Sequence, residues 1–137
     1  MRIMTVLFLL MFYLSVFPQK HLSETSWKVL TINGEHLALD STELPVLIFL
    51  KERINGFTSC NKFLGNYELH RKKISFSQIG GTKMFCPDPF QRIEQTFYQA
   101  LSAVVFWKIK KEKLFLYDKH KACILVLKKS NSTHETN

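Results

Sequence analysis

Ser59-Cys60-Asn61-Lys62-Phe63-Leu64-Gly65-Asn66-Tyr67, resumed at Gly81-Thr82-Lys83-Met84-Phe85-Cys86, is the stretch from which the architecture is read. Asn61 and Gly65 bracket a connection, because asparagine bonds its own backbone and both residues accept positive φ. Tyr67 and Thr82 read as hydrogen-bonding residues at the edge of a core. Met84 and Cys86 bring soft sulfur into the segment, the ligand type that Cu(I) prefers. No methionine or histidine repeat surrounds them, so no metal site is expected.

Just downstream, Asp88 is placed to accept from the free N–H groups of a helix's first turn, and Pro89 has no N–H to lose there. Phe90, Ile93, Phe97, Leu101 and Val104 then recur at helical spacing as one apolar stripe. Gln91, Arg92, Gln95 and Gln99 take the opposite side, which predicts a core helix. Upstream, residues 27–32 read as a strand running into Asn33-Gly34, a dipeptide that takes a tight turn cheaply. Residues 45–50 are an apolar run short enough for a buried strand. Asn55-Gly56 gives a second turn signal, with residues 57–60 as the strand after it. Residues 67–71 and 73–79 alternate as half-exposed strands joined near Arg71-Lys72-Lys73, with Ile79 out of phase with Ile74 and Phe76. Beyond the helix, residues 105–109, 114–117 and 122–127 predict an antiparallel meander.

Composition agrees. The chain has 137 residues, 46% apolar with 13% aromatic, which suffices for a packed core and excludes disordered and low-complexity classes. The length fits one domain and leaves no room for a catalytic domain beside a regulatory one. Residues 1–19 read as a signal peptide, with an uncleaved N-terminal anchor as the alternative: Met1-Arg2, then an apolar run from Ile3 to Phe17 that Pro18 ends before the ~20 residues a membrane span needs. No small-x-small pair precedes Gln19, so the cleavage position is undefined. No cysteine closes the run, so the leader is not of the lipoprotein kind. Export to periplasm, envelope or medium is expected.

An oxidising compartment favours a disulfide over a thiolate metal site. Cys60, Cys86 and Cys123 allow three single pairings, each leaving one thiol over. No CxxC, metal-spaced histidines, paired carboxylates, P-loop or nucleophile elbow occurs. No enzymatic activity and no cofactor are expected.

The central stretch resembles the META domain, the family that includes the HslJ heat-shock protein. The resemblance rests on Cys60, Asn61, Gly65, Tyr67, Thr82, Met84 and Cys86. Glu94, Phe97 and Leu101 match the helix that follows, and Trp27 with Gly34 matches the opening strand and its turn. It covers residues 26–128, leaving 129–137 as a disordered tail; Ser59 stands where the family has glycine. The resemblance implies an α+β, mostly β domain: a small antiparallel barrel-like sheet with one packed amphipathic helix. Members occur in envelope and secreted proteins, some linked to heat shock, antibiotic tolerance or virulence, with no enzymatic activity established for the class.

The family motif also brings together the elements carrying Cys60 and Cys86, which implies a disulfide. Closing that loop contributes about 3.5 kcal/mol on the chain-entropy model. Cys123 is then expected to be a buried apolar thiol, on one face with Leu125 and Leu127. The function expected is that of a monomeric, exported binding or support protein associated with stress. The alternative is a barrel carrier of a small apolar or lipid ligand, which would need an apolar cavity of roughly 300 Å³ or more. The net charge of +8 comes from clusters at 71–73, 108–113, 119–121 and 128–129. If they cluster, these suit an anionic lipid surface, an acidic glycan or an envelope protein as partner, and the export signal speaks against nucleic acid; solvated lysines guarding sheet edges are the plainer reading.

Overall fold

Alternation of apolar and polar residues builds most of this chain. The computed structural model describes residues 21–131; the expected signal peptide and the chain after residue 131 lie outside them. The strands are β1 (Thr25–Ile32), β2 (Glu35–His36), β3 (Val46–Phe49), β4 (Arg53–Phe57), β5 (Lys62–His70), β6 (Lys73–Gly81), β7 (Phe106–Lys110), β8 (Lys113–Tyr117) and β9 (Cys123–Ser130), with helix α1 (Phe90–Ala103) between β6 and β7. Every pairing is antiparallel, in the order β1-β3-β4-β5-β6-β7-β8-β9, and β9 returns to pair with β1. The sheet is therefore a closed, mostly β ring with one helix. The narrowest seam joins β6 to β7, where Lys73 faces Phe106.

Closure puts one face of each strand inside. Trp27, Val29, Leu47, Phe49, Ile54, Leu114, Leu116, Leu125 and Leu127 are almost wholly buried, and α1 adds Phe97 and Leu101 to the same core. The Phe97 ring lies 5.6 Å from that of Phe63, and Phe49 meets Tyr67 edge-on at 5.0 Å. These contacts stack burial on favourable ring geometry.

Several expectations are corrected. Asn55-Gly56 is not a turn but lies inside β4; a Cβ on Gly56 would sit 1.9 Å from the Val46 carbonyl oxygen and 2.9 Å from the Phe63 ring. The chain reverses earlier, where Leu50 N–H bonds the Arg53 carbonyl at 2.8 Å. Residues 58–60 form no strand, since β4 stops at Phe57. Gly65 brackets no connection: it lies within β5 opposite Ile54, where its missing side chain admits Ile79 and the Ser77 carbonyl. Strand β3 is buried on one face only, leaving Val46 and Ile48 half-exposed. Asp88 does not cap α1; it pairs with Arg92 at 3.2 Å, and the Phe90 N–H finds the Pro87 carbonyl instead. Lys129 and Ser130 belong to β9, opposite Trp27 and Ser26, rather than to a tail.

Two irregularities explain phase changes. Between Leu64/Gly80 and Asn66/Ser77 strand β6 carries one extra residue, with Gln78 at φ 51°, so Ile79 falls out of step with Ile74 and Phe76. In β9, Leu116 faces Leu125 but Tyr117 faces Cys123, so Ile124 is the extra residue. The bulge turns Cys123 outward, and the expectation of a buried thiol is corrected to an exposed one.

Candidate functional site

The β4–β5 connection is short and buried, so its backbone polar groups need partners inside the protein. Thr58 and Asn61 supply them. Thr58 N–H donates to the Asn61 carbonyl at 2.9 Å, and Asn61 N–H donates back to Thr58 Oγ1 at 2.9 Å. Between them Ser59 takes φ 77°, a left-handed conformation that glycine adopts more cheaply. Its hydroxyl donates to the Glu43 carbonyl at 2.5 Å.

Asn61 is the hub. Its Nδ2 donates to Glu94 Oε1 at 3.1 Å and to the Met84 carbonyl at 3.1 Å, while its Oδ1 accepts from Met84 N–H at 2.8 Å and from Thr82 Oγ1 at 2.9 Å. One amide thus ties the start of β5, the segment after β6 and helix α1. Glu94 is buried and accepts from the Thr58 hydroxyl and from Asn61 N–H at 3.2 Å. Among the described residues no buried side-chain nitrogen or oxygen lacks a partner. A fully satisfied buried network of this kind rigidifies what it holds.

The disulfide Cys60–Cys86 closes the same segment from its other end, with the Cα atoms 5.8 Å apart. Residues 82–86 are therefore gripped at Thr82, at the Met84 backbone and at Cys86. The side chains between are left outside: Met84 is 61% exposed and Phe85 89%. Of the residues singled out in the sequence, Cys60, Asn61, Thr82, Met84 and Cys86 come together here. Gly65 and Tyr67 do not. Tyr67 donates its hydroxyl to the Leu50 and Lys51 carbonyls at 2.7 and 3.0 Å, pinning the β3–β4 turn, and burial pushes its phenol above the usual range. Thr58 and the role of Glu94 escaped sequence reading. The signal was there for Glu94, which falls on the buried stripe three residues before Phe97. Tyr98, one turn on, has its phenol pushed up by burial and, secondarily, by the Glu94 carboxylate.

Elsewhere the surface is divided. An open depression of about 1210 Å³ is lined by polar His21, Lys51, Glu52, His70 and Arg71 and by apolar Leu22, Leu69, Ile74, Val104 and Trp107. The basic residues do not make one patch. Lys73 and Lys121 lie at the Phe106 end of β7, with Lys121 5.7 Å from the Phe106 ring, whereas Lys110 and Lys113 lie at its far end. Among the described residues no group of His, Cys, Asp and Glu is arranged to hold a metal ion.

The chain belongs to the META domain family, whose model matches residues 20–131. No curated protein matches it. Among solved structures it is similar to a Burkholderia xenovorans protein determined by NMR, with TM-score 0.67 and 25% identity over 81% of this chain and 85% of the other. A DUF4847 family protein from Bacteroides vulgatus shares the fold at TM-score 0.59 and 12% identity, over 82% and 96% of the two chains.

Proposed function

We propose that this is a non-enzymatic, exported META-type domain that acts by contact, as a binding or support protein for envelope or secreted components under stress. One observation carries the reading: a disulfide and a buried amide hub hold residues 82–86, and beside exposed Lys83 that segment offers the apolar side chains of Met84 and Phe85 to solvent. An aromatic on a segment already ordered loses little conformational freedom on binding, which is what an interface anchor requires. The Thr58–Asn61–Glu94 network supports the same view, because its polar atoms are spent on one another rather than turned toward a cleft. The disulfide is consistent with an oxidising location. A carrier of apolar ligands is less favoured: Trp27, Phe49 and Phe97 fill the inside of the ring, and the depression of about 1210 Å³ on its surface is open and lined by charged Lys51, Glu52, Arg53, Arg71 and Lys73 as well as by apolar residues.

The test is affinity capture from envelope extract with the wild type, with Phe85→Ser and with reduced protein. A partner retained by the wild type, lost by Phe85→Ser and weakened by reduction is the expected result. Identical capture by all three contradicts the proposal.

A further inference from the structure

Lysines on the outer wall of the ring fall into register across four neighbouring strands. Lys110 faces Lys113, Lys113 faces Lys128, and Lys128 faces Lys28. Lys110, Lys113 and Lys128 are exposed, Lys113 beside buried Leu114 and Lys128 beside buried Leu127, and Lys28 lies half-exposed between buried Trp27 and Val29, so the row is on the outer wall. Like charges directly opposite one another destabilise a sheet, and here the arrangement is repeated at three successive pairs. None of the four is in an ion pair among the described residues, where the ion pair formed is Arg92 with Asp88 at the start of α1, although Glu112 lies in the turn beside Lys113. Lys28 donates to the carbonyl and the hydroxyl of Ser41 at 3.0 and 2.8 Å.

Guarding a sheet edge does not account for the row. Strands β8, β9 and β1 each have partners on both sides, so three of the four lysines sit where no edge exists. We propose that this row is a binding track for a linear anionic polysaccharide, a second surface apart from residues 82–86. Shape chooses among polyanions. The row spans roughly 14 Å at the usual strand spacing, and it follows the wall of a closed ring, so its rungs fan away from any plane. A flat membrane touches one or two rungs at a time; a flexible chain follows all four. Bases of single-stranded nucleic acid seek exposed aromatic faces, and the ring two residues along β8 from Lys113, Phe115, is half-buried. A sulfated or carboxylated sugar chain needs only the charges.

The experiment measures binding of the purified protein to heparin across a salt series, for the wild type, for Lys113→Gln/Lys128→Gln and for Lys119→Gln/Lys121→Gln. The last pair removes the same charge from a turn elsewhere. The first variant is expected to bind at least about tenfold more weakly and to lower the salt slope by about 1.4, as two lost contacts to a flexible polyanion would. Its thermal midpoint should not fall, because repulsion has been removed. Equal losses in both variants would reduce the effect to net charge and overturn the proposal. So would tighter binding to an oligonucleotide or to anionic vesicles than to heparin. Location is measured separately: finding the protein in the cytosol would end the export reading while leaving the track, as a polyanion surface, to stand on the heparin data.

Discussion

Ser59 shows how one backbone angle is held by what surrounds it. Its φ of 77° is unfavourable for a residue with a Cβ, and its hydroxyl contact with the Glu43 carbonyl offsets part of the cost. Ser59→Ala keeps the strain and loses the bond; Ser59→Gly loses both. Denaturant unfolding should therefore find the glycine variant more stable than the alanine variant by about 1 kcal/mol. Equal values would mean that the left-handed angle is not present. Cys123 supports a second prediction at this scale. Although Cys123 is exposed, partial desolvation by its neighbours pushes its thiol above the usual range, against a smaller opposing effect of the bond to the Leu125 carbonyl, so less of it is thiolate near neutrality. Alkylation at pH 8 should be slower than for an unstructured cysteine peptide, and the gap should close as pH rises past the raised pKa. A rate equal to the peptide's at pH 8 contradicts this.

At the scale of elements, two identical dipeptides had opposite fates. Asn33-Gly34 is a turn, with φ of 50° and 82°, as local preference dictates. Asn55-Gly56 is strand, because the Phe63 ring and the Val46 carbonyl occupy the place of a side chain at Gly56. Turn propensity was legible along the chain; the cross-strand ring that overrides it was not. Gly56→Ala should cost about 3 kcal/mol by overpacking, while Gly80→Ala, where a Cβ meets nothing within 4 Å, should cost under about 1 kcal/mol. Comparable losses at both would show that Gly56 is not pressed between strands. The helix stripe was readable for the opposite reason, since its period lies within one element. The out-of-phase Ile79 pointed correctly to the β6 irregularity, but the matching break in β9 left no mark in a run of apolar residues, and Cys123 was placed on the wrong face. The site was legible as a set of residues, Cys60, Asn61, Thr82, Met84 and Cys86. That Asn61 gathers Glu94 and the Met84 backbone was not, because hydrogen bonds across three elements have no sequence period.

For the whole molecule, a ring closed by β1 and β9 buries one continuous core and leaves its outer wall for contacts. The clamp formed by Cys60–Cys86 and the Asn61 hub fixes the segment that carries Phe85, and this joint arrangement underlies the proposed function. Removing the crosslink with Cys60→Ala/Cys86→Ala should lower stability by about 3.5 kcal/mol, a large part of what a small domain has. An unchanged unfolding midpoint would mean that the clamp is not formed in the folded protein. The most direct measurement is to express the full chain, separate cytosolic from exported fractions and tag thiols under non-reducing, denaturing conditions. The account predicts protein outside the cytosol with Cys123 labelled and Cys60 and Cys86 protected. Cytosolic protein with all three cysteines labelled would contradict it.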